Sequence, residues 1–167
     1  MIERFKTLAR YGWQTGAQGI MFTCSSFGPA IDACREALPV PVLKPNEAMI
    51  EEALQMGNTI ALLASFEPAI GSITEEFQEY ARRLGRTIEL RPYVVPEAMQ
   101  ALQSGDAATH DALLARAAEQ ARACDVICFA QFSMTSAARR CAESSQRPVL
   151  TTPDSAVTKL KRLVLAL

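Results

Sequence analysis

One cysteine of this sequence lies between a predicted strand and a predicted helix, a position where cysteines often act as an acid, a base or a nucleophile. Cys24 follows an apolar stretch of strand length and precedes Pro29, a residue that favours the first turn of a helix. The unpaired N–H groups at a helix N-terminus stabilise a thiolate. Ser25 and Ser26 add hydroxyl donors, and the backbone amides beside them can hold a carboxylate. This combination suits the movement of a proton at a carbon next to a carboxylate.

The same residues also have a purely structural interpretation. Cys24 would then be a small buried side chain, and the two serines after it would cap the helix. The local sequence leaves both interpretations open. The remaining cysteines fall within or at the ends of predicted helices and strands, where packing explains them better: Cys34, Cys124, Cys128 and Cys141.

Other familiar catalytic patterns are missing from the sequence. The single histidine, His110, lies in a capping stretch at a predicted helix start, and we expect it at the surface. A Ser-His-Asp hydrolase would need a nucleophile elbow, which the chain lacks. No strand-end loop has the glycine spacing of a phosphate or dinucleotide site. Cys124 and Cys128 have no histidine nearby, so we expect no metal site.

Composition and charge exclude several classes of protein. The chain has 167 residues, of which 49% are apolar and 21% charged, a balance typical of a globular domain. A net charge of −1 argues against nucleic-acid and membrane-surface partners. No stretch offers the roughly 18 apolar residues of a membrane span, and residues 1–6 do not resemble a signal peptide. Five cysteines without dense spacing indicate a reducing compartment, so we expect a cytoplasmic location.

Short apolar stretches alternate along the chain with longer stretches of helical period. Apolar strands separated by helices predict parallel sheets covered on both faces, and therefore an α/β fold. In such sheets, ligands bind beyond the carboxyl ends of the strands. The loops that could form a site are residues 23–28, 43–47, 64–67, 130–134 and 151–154.

Four segments together resemble the aspartate/glutamate/hydantoin racemase superfamily. They occur in the family's order at residues 22–30, 39–42, 60–65 and 147–153, and the segment around Cys24 is the most specific. The superfamily also includes arylmalonate decarboxylase and maleate isomerase. The resemblance implies two pseudo-symmetric α/β lobes with the active site between them, and an enzyme that needs no cofactor. In the racemases, one cysteine from each lobe faces the substrate α-carbon; one removes the proton and the other returns it.

The resemblance also implies roles for particular residues. Cys24 matches the cysteine of the first lobe. Ser25 and Ser26 match the hydroxyl residues that bind the substrate carboxylate. Ser65 and Phe66 match a second-lobe loop that also lines the site.

The second-lobe cysteine has no counterpart in this chain. It should fall in residues 129–134, where the matching position is Gln131 and where Ser133 also lies. An amide cannot act as an acid or base near neutral pH, although it can orient a carboxylate or polarise a carbonyl. A symmetric two-thiol racemase is therefore in doubt. Three kinds of enzyme remain open: a decarboxylase that protonates an enolate from one side, an isomerase that uses Cys24 as a nucleophile, or a racemase that recruits another acid.

A second departure concerns the first lobe. Only 23 residues precede Cys24, enough for one helix over residues 3–10 that ends before Gly12. The resemblance implies further strands here, so we expect an incomplete first lobe with an exposed strand edge. A truncated chain, a degenerate copy or a domain completed by a partner subunit would each explain it, and we favour truncation. The predicted domains are residues 1–57 (first lobe), 58–150 (second lobe) and 151–167, a C-terminal segment that packs toward the first lobe.

These observations support one leading hypothesis and one alternative. The leading hypothesis is a cofactor-independent isomerase, racemase or decarboxylase-type lyase that acts at the α-carbon of a small carboxylic acid. The alternative is a non-catalytic α/β module that binds a small anion, or an inactive copy. Partners would be the small carboxylate and, in a homo-oligomer, further copies of the chain. The predicted site consists of the catalytic Cys24 and the substrate-binding residues Ser25, Ser26, Ser65, Phe66, Gln131 and Ser133.

Overall fold

The computed structural model describes residues 1–166, except for the side chain of Ser26. Contacts between residues divide this part of the chain into two units. Unit 1 comprises Met1–Ala48 together with the described residues from Asp154 onward, and unit 2 comprises Met49–Pro153. In chain order, the elements are α1 (Ile2–Gln14), β1 (Ile20–Met21), α2 (Gly28–Ala37), β2 (Val42–Leu43), α3 (Glu47–Met56), β3 (Thr59–Ala64), α4 (Ala69–Arg83), β4 (Glu89–Val94), α5 (Pro96–Gln103), α6 (Ala107–Gln120), β5 (Val126–Phe129), α7 (Ala138–Ser145), β6 (Val149–Leu150) and α8 (Thr152–Leu165). None of the described helices combines the length and the apolarity that crossing a bilayer requires.

The four strands of unit 2 form one parallel sheet in the order β4–β3–β5–β6. The two central strands are buried almost along their whole length, since helices cover both faces of the sheet. β4 lies at an edge and is the most polar of the four. It contains Pro92, which lacks an N–H group and is tolerated where a strand is paired on one side only. The predicted α/β fold, with parallel sheets covered by helices, is confirmed.

Side chains on the two faces of this sheet pack into two separate clusters. Along β3, Ala61 and Leu63 join one cluster, while Ile60 and Leu62 join the other. Successive side chains of a strand point to opposite faces, so a strand with helices on both sides is apolar at every position. Helices α5, α6 and α7 complete the first cluster, and α3 and α4 complete the second.

Unit 1 contains a two-stranded parallel sheet. Ile20 of β1 pairs with Val42 of β2, and Met21 pairs with Leu43. Two strands bury too little surface to be stable by themselves, so this sheet depends on the helices packed against it. The core of the unit is formed by the buried residues Ala9, Ile31, Cys34 and Val42, with Phe5, Ile20, Phe22 and Leu38 packed around them.

Helix α1 is longer than the sequence predicts. The expected end before Gly12 is wrong, because the helix runs from Ile2 to Gln14. A single interior glycine costs only about 1 kcal/mol relative to alanine, and the packing of Phe5 and Ala9 in the core of unit 1 outweighs that cost. The chain turns instead at Gly16, whose φ of +102° is the left-handed conformation that follows many helix ends.

His110 is buried, and its predicted surface position is wrong. It lies on the same face of α6 as Leu114 and Ala118, four and eight residues further on, which belong to the core. Its Nδ1 lies 2.8 Å from Oδ1 of Asp111, and the same oxygen accepts a hydrogen bond from the Ser136 hydroxyl. The capping pattern in the sequence indicated a helix start in this stretch, which the structure places at Ala107, but it carried no information about which face of α6 is covered.

The turn before β3 has no room for a side chain. A Cβ added to Gly57 would lie 2.2 Å from the Cβ of Asp125. The Asp125 carboxylate accepts hydrogen bonds from the backbone N–H groups of Asn58 and Thr59, each at 2.9 Å. These bonds join the amino end of β3 to the amino end of β5. The glycine therefore permits the contact that holds the starts of the two central strands together.

We expect Gly57→Ala to lower the free energy of unfolding by about 1–3 kcal/mol, because the new methyl group overlaps Asp125. Gly71→Ala is the matched control, since Gly71 lies within α4. Apart from its two chain neighbours and the backbone of its own helix, no described atom lies within 4 Å of the position of its Cβ. Alanine there should raise stability by about 0.5–1 kcal/mol. Urea unfolding measures both changes, and effects of the same sign would contradict the overlap.

The stability of the fold should also depend on pH through Asp125. Hydrogen bonds from the backbone N–H groups of Thr59 and Asn58 hold the pKa of the Asp125 carboxyl below its ordinary value. The ionised form therefore stabilises the fold at neutral pH, and this contribution is lost as the pH falls through the lowered pKa.

We expect Asp125→Asn to be less stable than the unsubstituted protein at about pH 7, and the difference to shrink below about pH 4, where an ordinary aspartate takes up its proton. Urea unfolding across this pH range measures the difference. Glu36→Gln, which neutralises an exposed carboxylate on α2, is the control for loss of charge. A difference that stays constant with pH, or one that Glu36→Gln reproduces, would exclude the role of these hydrogen bonds.

Candidate functional site

The cysteine singled out by the sequence lies on an exposed loop of unit 1. β1 ends at Met21, and Cys24 has extended backbone, with φ −131° and ψ 119°, before a 3₁₀ turn over Ser25–Phe27. This turn leads directly into α2 at Gly28. Cys24 is exposed, so its interpretation as a buried packing residue is wrong. The exposure gives a thiolate access to a ligand, as nucleophilic or acid–base chemistry requires.

The other four cysteines are buried, in agreement with their predicted packing roles. Burial raises the pKa of the Cys141 thiol to about 12, and the Asp111 carboxylate adds to the effect. Burial likewise raises the pKa of the Cys128 thiol and of the Cys34 thiol. A buried thiol with a raised pKa is inert near neutral pH. Of the five cysteines, Cys24 is therefore the one whose thiol is exposed.

Three phenylalanines hold the Cys24 loop against α1. The ring of Phe5 stacks on that of Phe22, with centroids 5.2 Å apart, and its centroid lies 5.0 Å from that of Phe27. Phe22 lies two residues before Cys24 and Phe27 three residues after it, so one side chain of α1 packs on both flanks of the loop. Such aromatic pairs contribute about 0.5–1.5 kcal/mol each beyond the burial of area. The conformation of the loop therefore depends on α1.

The two serines after Cys24 do not occupy the capping position of α2. That position is Phe27, whose side chain has no hydrogen-bond acceptor, and Pro29 follows within the first turn. Ser25 is half-buried in the 3₁₀ turn, and the side chain of Ser26 lies outside the described part of the structure. The predicted capping role is therefore wrong for this position. The N-terminus of α2 keeps the partial positive charge of a helix start, close to Cys24 in the chain.

Lys44, to which the sequence analysis gave no role, lies along the first turn of α2. It directly follows β2, and its Nζ lies 2.7 Å from Oδ2 of Asp32. A Cβ placed on Gly28 would lie 3.8 Å from the same Nζ. The sequence places Lys44 in one of the strand-end loops that could form a site, residues 43–47. The direction of its side chain toward α2 could not be read from the sequence.

Three of the predicted site residues meet in unit 2. Oε1 of Gln131 accepts hydrogen bonds from the backbone N–H of Ser65, at 2.9 Å, and from the Ser65 hydroxyl, at 3.3 Å. Nε2 of Gln131 donates to the backbone carbonyl of Phe66, at 3.3 Å. β3 and β5 are parallel neighbours, so the loops at their carboxyl ends lie side by side. The Gln131 amide therefore fastens one loop to the other.

The predicted site residues of unit 2 differ strongly in how far their side chains are exposed to solvent. Ser65 is only 2% exposed, whereas Phe66 is 51% exposed, an unusual value for a phenylalanine. Ser133 is exposed within the 3₁₀ turn Phe132–Ala137, which follows Gln131. Phe66 and Ser133 are therefore the residues of this group whose side chains are open to a ligand.

We expect Gln131→Leu to lower the free energy of unfolding by about 1–3 kcal/mol, because the buried N–H of Ser65 loses its acceptor. Gln103→Leu, at the exposed end of α5, is the matched control and should change stability by no more than about 0.5 kcal/mol. The midpoints of urea unfolding compare the two. If both substitutions have the same small effect, the Gln131 amide does not hold the loops.

The fold and the Cys24 loop define a class of protein, namely an α/β protein with an exposed strand-end thiol in front of a helix. The family model for the Asp/Glu/Hydantoin racemases matches residues 4–160, which is nearly the whole chain. The chain belongs to this family, and the resemblance found in the sequence is confirmed. No curated protein matches the sequence significantly.

Solved structures of racemases and of a decarboxylase have the same fold. Allantoin racemase from Klebsiella pneumoniae is 18% identical, with a TM-score of 0.77 over 99% of this chain and 66% of its own. Unliganded arylmalonate decarboxylase is 19% identical, with a TM-score of 0.67 over 98% of this chain and 76% of its own. A glutamate racemase from Bacillus anthracis is 11% identical, with a TM-score of 0.64 over 99% of this chain and 66% of its own. At these identities the likeness concerns the fold.

Proposed function

We propose that the chain catalyses proton transfer at the α-carbon of a small carboxylic acid, with the Cys24 thiolate as acid/base and without a cofactor. The observation that carries this proposal is the exposure of Cys24 at the end of β1, in a racemase-family chain whose other cysteines are buried. Either an isomerase or a decarboxylase-type lyase would use such a thiol. Glutamate and arylmalonate, the carboxylic acids named for two of the structural neighbours, are the first substrates to test. Allantoin, named for a third neighbour, has no carboxylate, so turnover of allantoin alone would contradict the carboxylic-acid part of the proposal.

The chemistry proceeds through a carbanion that the loop stabilises. When the thiolate removes the α-proton, the electron pair of the C–H bond moves into the carboxylate and forms an enediolate. When the substrate is a malonate, one carboxylate leaves as carbon dioxide, and the electron pair of the broken C–C bond moves into the remaining carboxylate to form an enediolate. The thiol then donates its proton to the α-carbon. The positive end of α2 and the hydroxyl groups of Ser25 and Ser26 would stabilise the developing charge.

A single thiol favours proton transfer to or from one side of the substrate α-carbon. The position matched to the second cysteine is Gln131, and its amide oxygen is engaged by Ser65. This supports a positioning role for Gln131 rather than a direct role as proton donor, with Phe66 and Ser133 as the more accessible substrate-binding residues. Ser65 would contribute through the conformation of its loop. One-sided transfer predicts exchange of the α-hydrogen, or decarboxylation, in preference to free inversion at carbon.

We expect the protein to incorporate deuterium from solvent at the α-carbon of one member of a panel made up of glutamate, aspartate and phenylmalonate, as measured by proton NMR in D₂O. Cys24→Ser should lower the rate by about 10²–10⁴-fold, the usual contribution of a general acid or base. Cys34→Ala, which removes a buried thiol of the same unit, is the matched control and should keep the rate. Full activity of Cys24→Ser would exclude the mechanism.

The same panel distinguishes the non-catalytic alternative. A compound that raises the melting temperature without exchange or decarboxylation would indicate an anion-binding module instead of an enzyme. A rate that falls after treatment with EDTA and dialysis, and that returns with added metal, would contradict the cofactor-independent part of the proposal while leaving the role of Cys24 intact.

A further inference from the structure

We infer that Lys44 determines the specificity of the Cys24 site for carboxylates, by holding the anionic group of the compound that reaches the thiol. This inference rests on the proposed function, because it names the group that recognises the acid at the same site. The sequence and the family resemblance assigned no role to Lys44. Lys44 follows a strand beside the one that leads to Cys24, contacts α2 and lies among charged groups.

The parallel pairing of β1 and β2 brings the two loops to one edge. Met21 pairs with Leu43, and the backbone N–H of Phe22 donates to the carbonyl of Leu43 at 3.2 Å. Lys44 directly follows β2, and Cys24 lies two residues beyond Phe22. Both side chains therefore leave the sheet at its carboxyl end, where ligands of α/β proteins bind.

The Lys44 ammonium group lies over the first turn of α2. Its Nζ donates to Oδ2 of Asp32 at 2.7 Å, and the position of a Cβ on Gly28 lies 3.8 Å from the same nitrogen. Gly28 is the first residue of α2, four residues after Cys24. The side chain of Lys44 is only 26% exposed, so solvent screens its charge incompletely.

This position is electrostatically unfavourable for a cation unless an anion joins it. The N-terminus of a helix already carries a partial positive charge, which disfavours lysine there. The Asp32 carboxylate offsets the charge in part, but it is shared, since its Oδ1 lies 3.9 Å from Nη1 of Arg35. The helix end and the Lys44 ammonium together form a positive region beside the Cys24 loop. An ammonium group has three N–H donors, so a substrate carboxylate can bind Lys44 together with Asp32.

Two alkylating reagents that differ in charge test this inference without any knowledge of the substrate. Iodoacetate and iodoacetamide both react with a thiolate at their CH₂ carbon, forming a C–S bond and releasing iodide. Only iodoacetate carries a carboxylate. The ratio of their rates at Cys24, read by peptide mass spectrometry on the folded protein, isolates recognition of the carboxylate from reactivity of the thiol.

We expect the ratio of the iodoacetate rate to the iodoacetamide rate to be higher at Cys24 than for glutathione, and to fall with added salt. Lys44→Met should lower this ratio by about threefold to fivefold, the range of one partly exposed ion contact. Lys44→Arg should retain it, and Asp32→Asn should raise it, because the ammonium group is then free for the reagent. Lys161→Met, which removes an exposed cation of α8, controls for the change in net charge and should leave the ratio unchanged.

The outcomes separate this inference from the proposed function. If Lys44→Met slows both reagents equally, Lys44 acts on the thiol or on the loop and does not recognise carboxylates. An unchanged ratio would overturn the inference as well, even if Cys24 catalyses exchange. Conversely, a lower ratio in Lys44→Met together with no exchange on any acid would establish carboxylate recognition and leave only the catalytic proposal contradicted. Circular dichroism and melting temperature show whether each variant is folded.

Discussion

Unit 2 depends on the pairing of two strands that are buried on both faces. Within β3 and β5 the backbone groups bond to the neighbouring strands, but the strand ends need other partners. A side chain next to each end of β5 supplies them. The Asp125 carboxylate accepts hydrogen bonds from the N–H groups at the start of β3. The Gln131 amide oxygen accepts one from the N–H of Ser65, which directly follows the end of β3. The pair of strands is thus fastened at both ends by side chains, and the loop at the carboxyl end acquires a fixed conformation.

The sheet of unit 1 has two strands, and side-chain contacts hold the loop that follows β1. Its two short strands bury little surface, so the Cys24 loop relies on the aromatic packing of Phe5 on both flanks. The side chain of Glu47 is only 4% exposed and pairs with Nη2 of Arg35 at 2.6 Å and Nζ of Lys159 at 3.3 Å. A buried carboxylate without such partners would be strongly destabilising. These ion pairs tie α2, the start of α3 and α8 together within the unit.

The chemistry proposed for Cys24 follows from what each unit offers separately. Unit 1 presents an exposed thiol, a helix start without a serine cap and a lysine above it. Unit 2 presents a loop held by an amide in place of a second acid. A thiol that works alone can take a proton from carbon or give one to it, but a separate acid would be needed to complete inversion from the other side. A single exposed thiol in unit 1 is the reason why one-sided proton transfer, rather than symmetric racemisation, is the reaction proposed for Cys24.

The sequence by itself determined the order of strands and helices, the α/β class, the family and the position of Cys24, because these depend on local periodicity, on helix-start residues and on a contiguous motif. Only the tertiary structure decided where side chains point. His110 has the sequence context of a surface cap yet faces the core, since burial depends on what packs against α6. Gln131 was predicted to orient a carboxylate or polarise a carbonyl of the substrate, and its bonds to residues 65 and 66 arise from strand pairing across more than sixty residues of chain. Lys44 of the loop after β2 meets Asp32 of α2, a contact between two elements that no local pattern specifies.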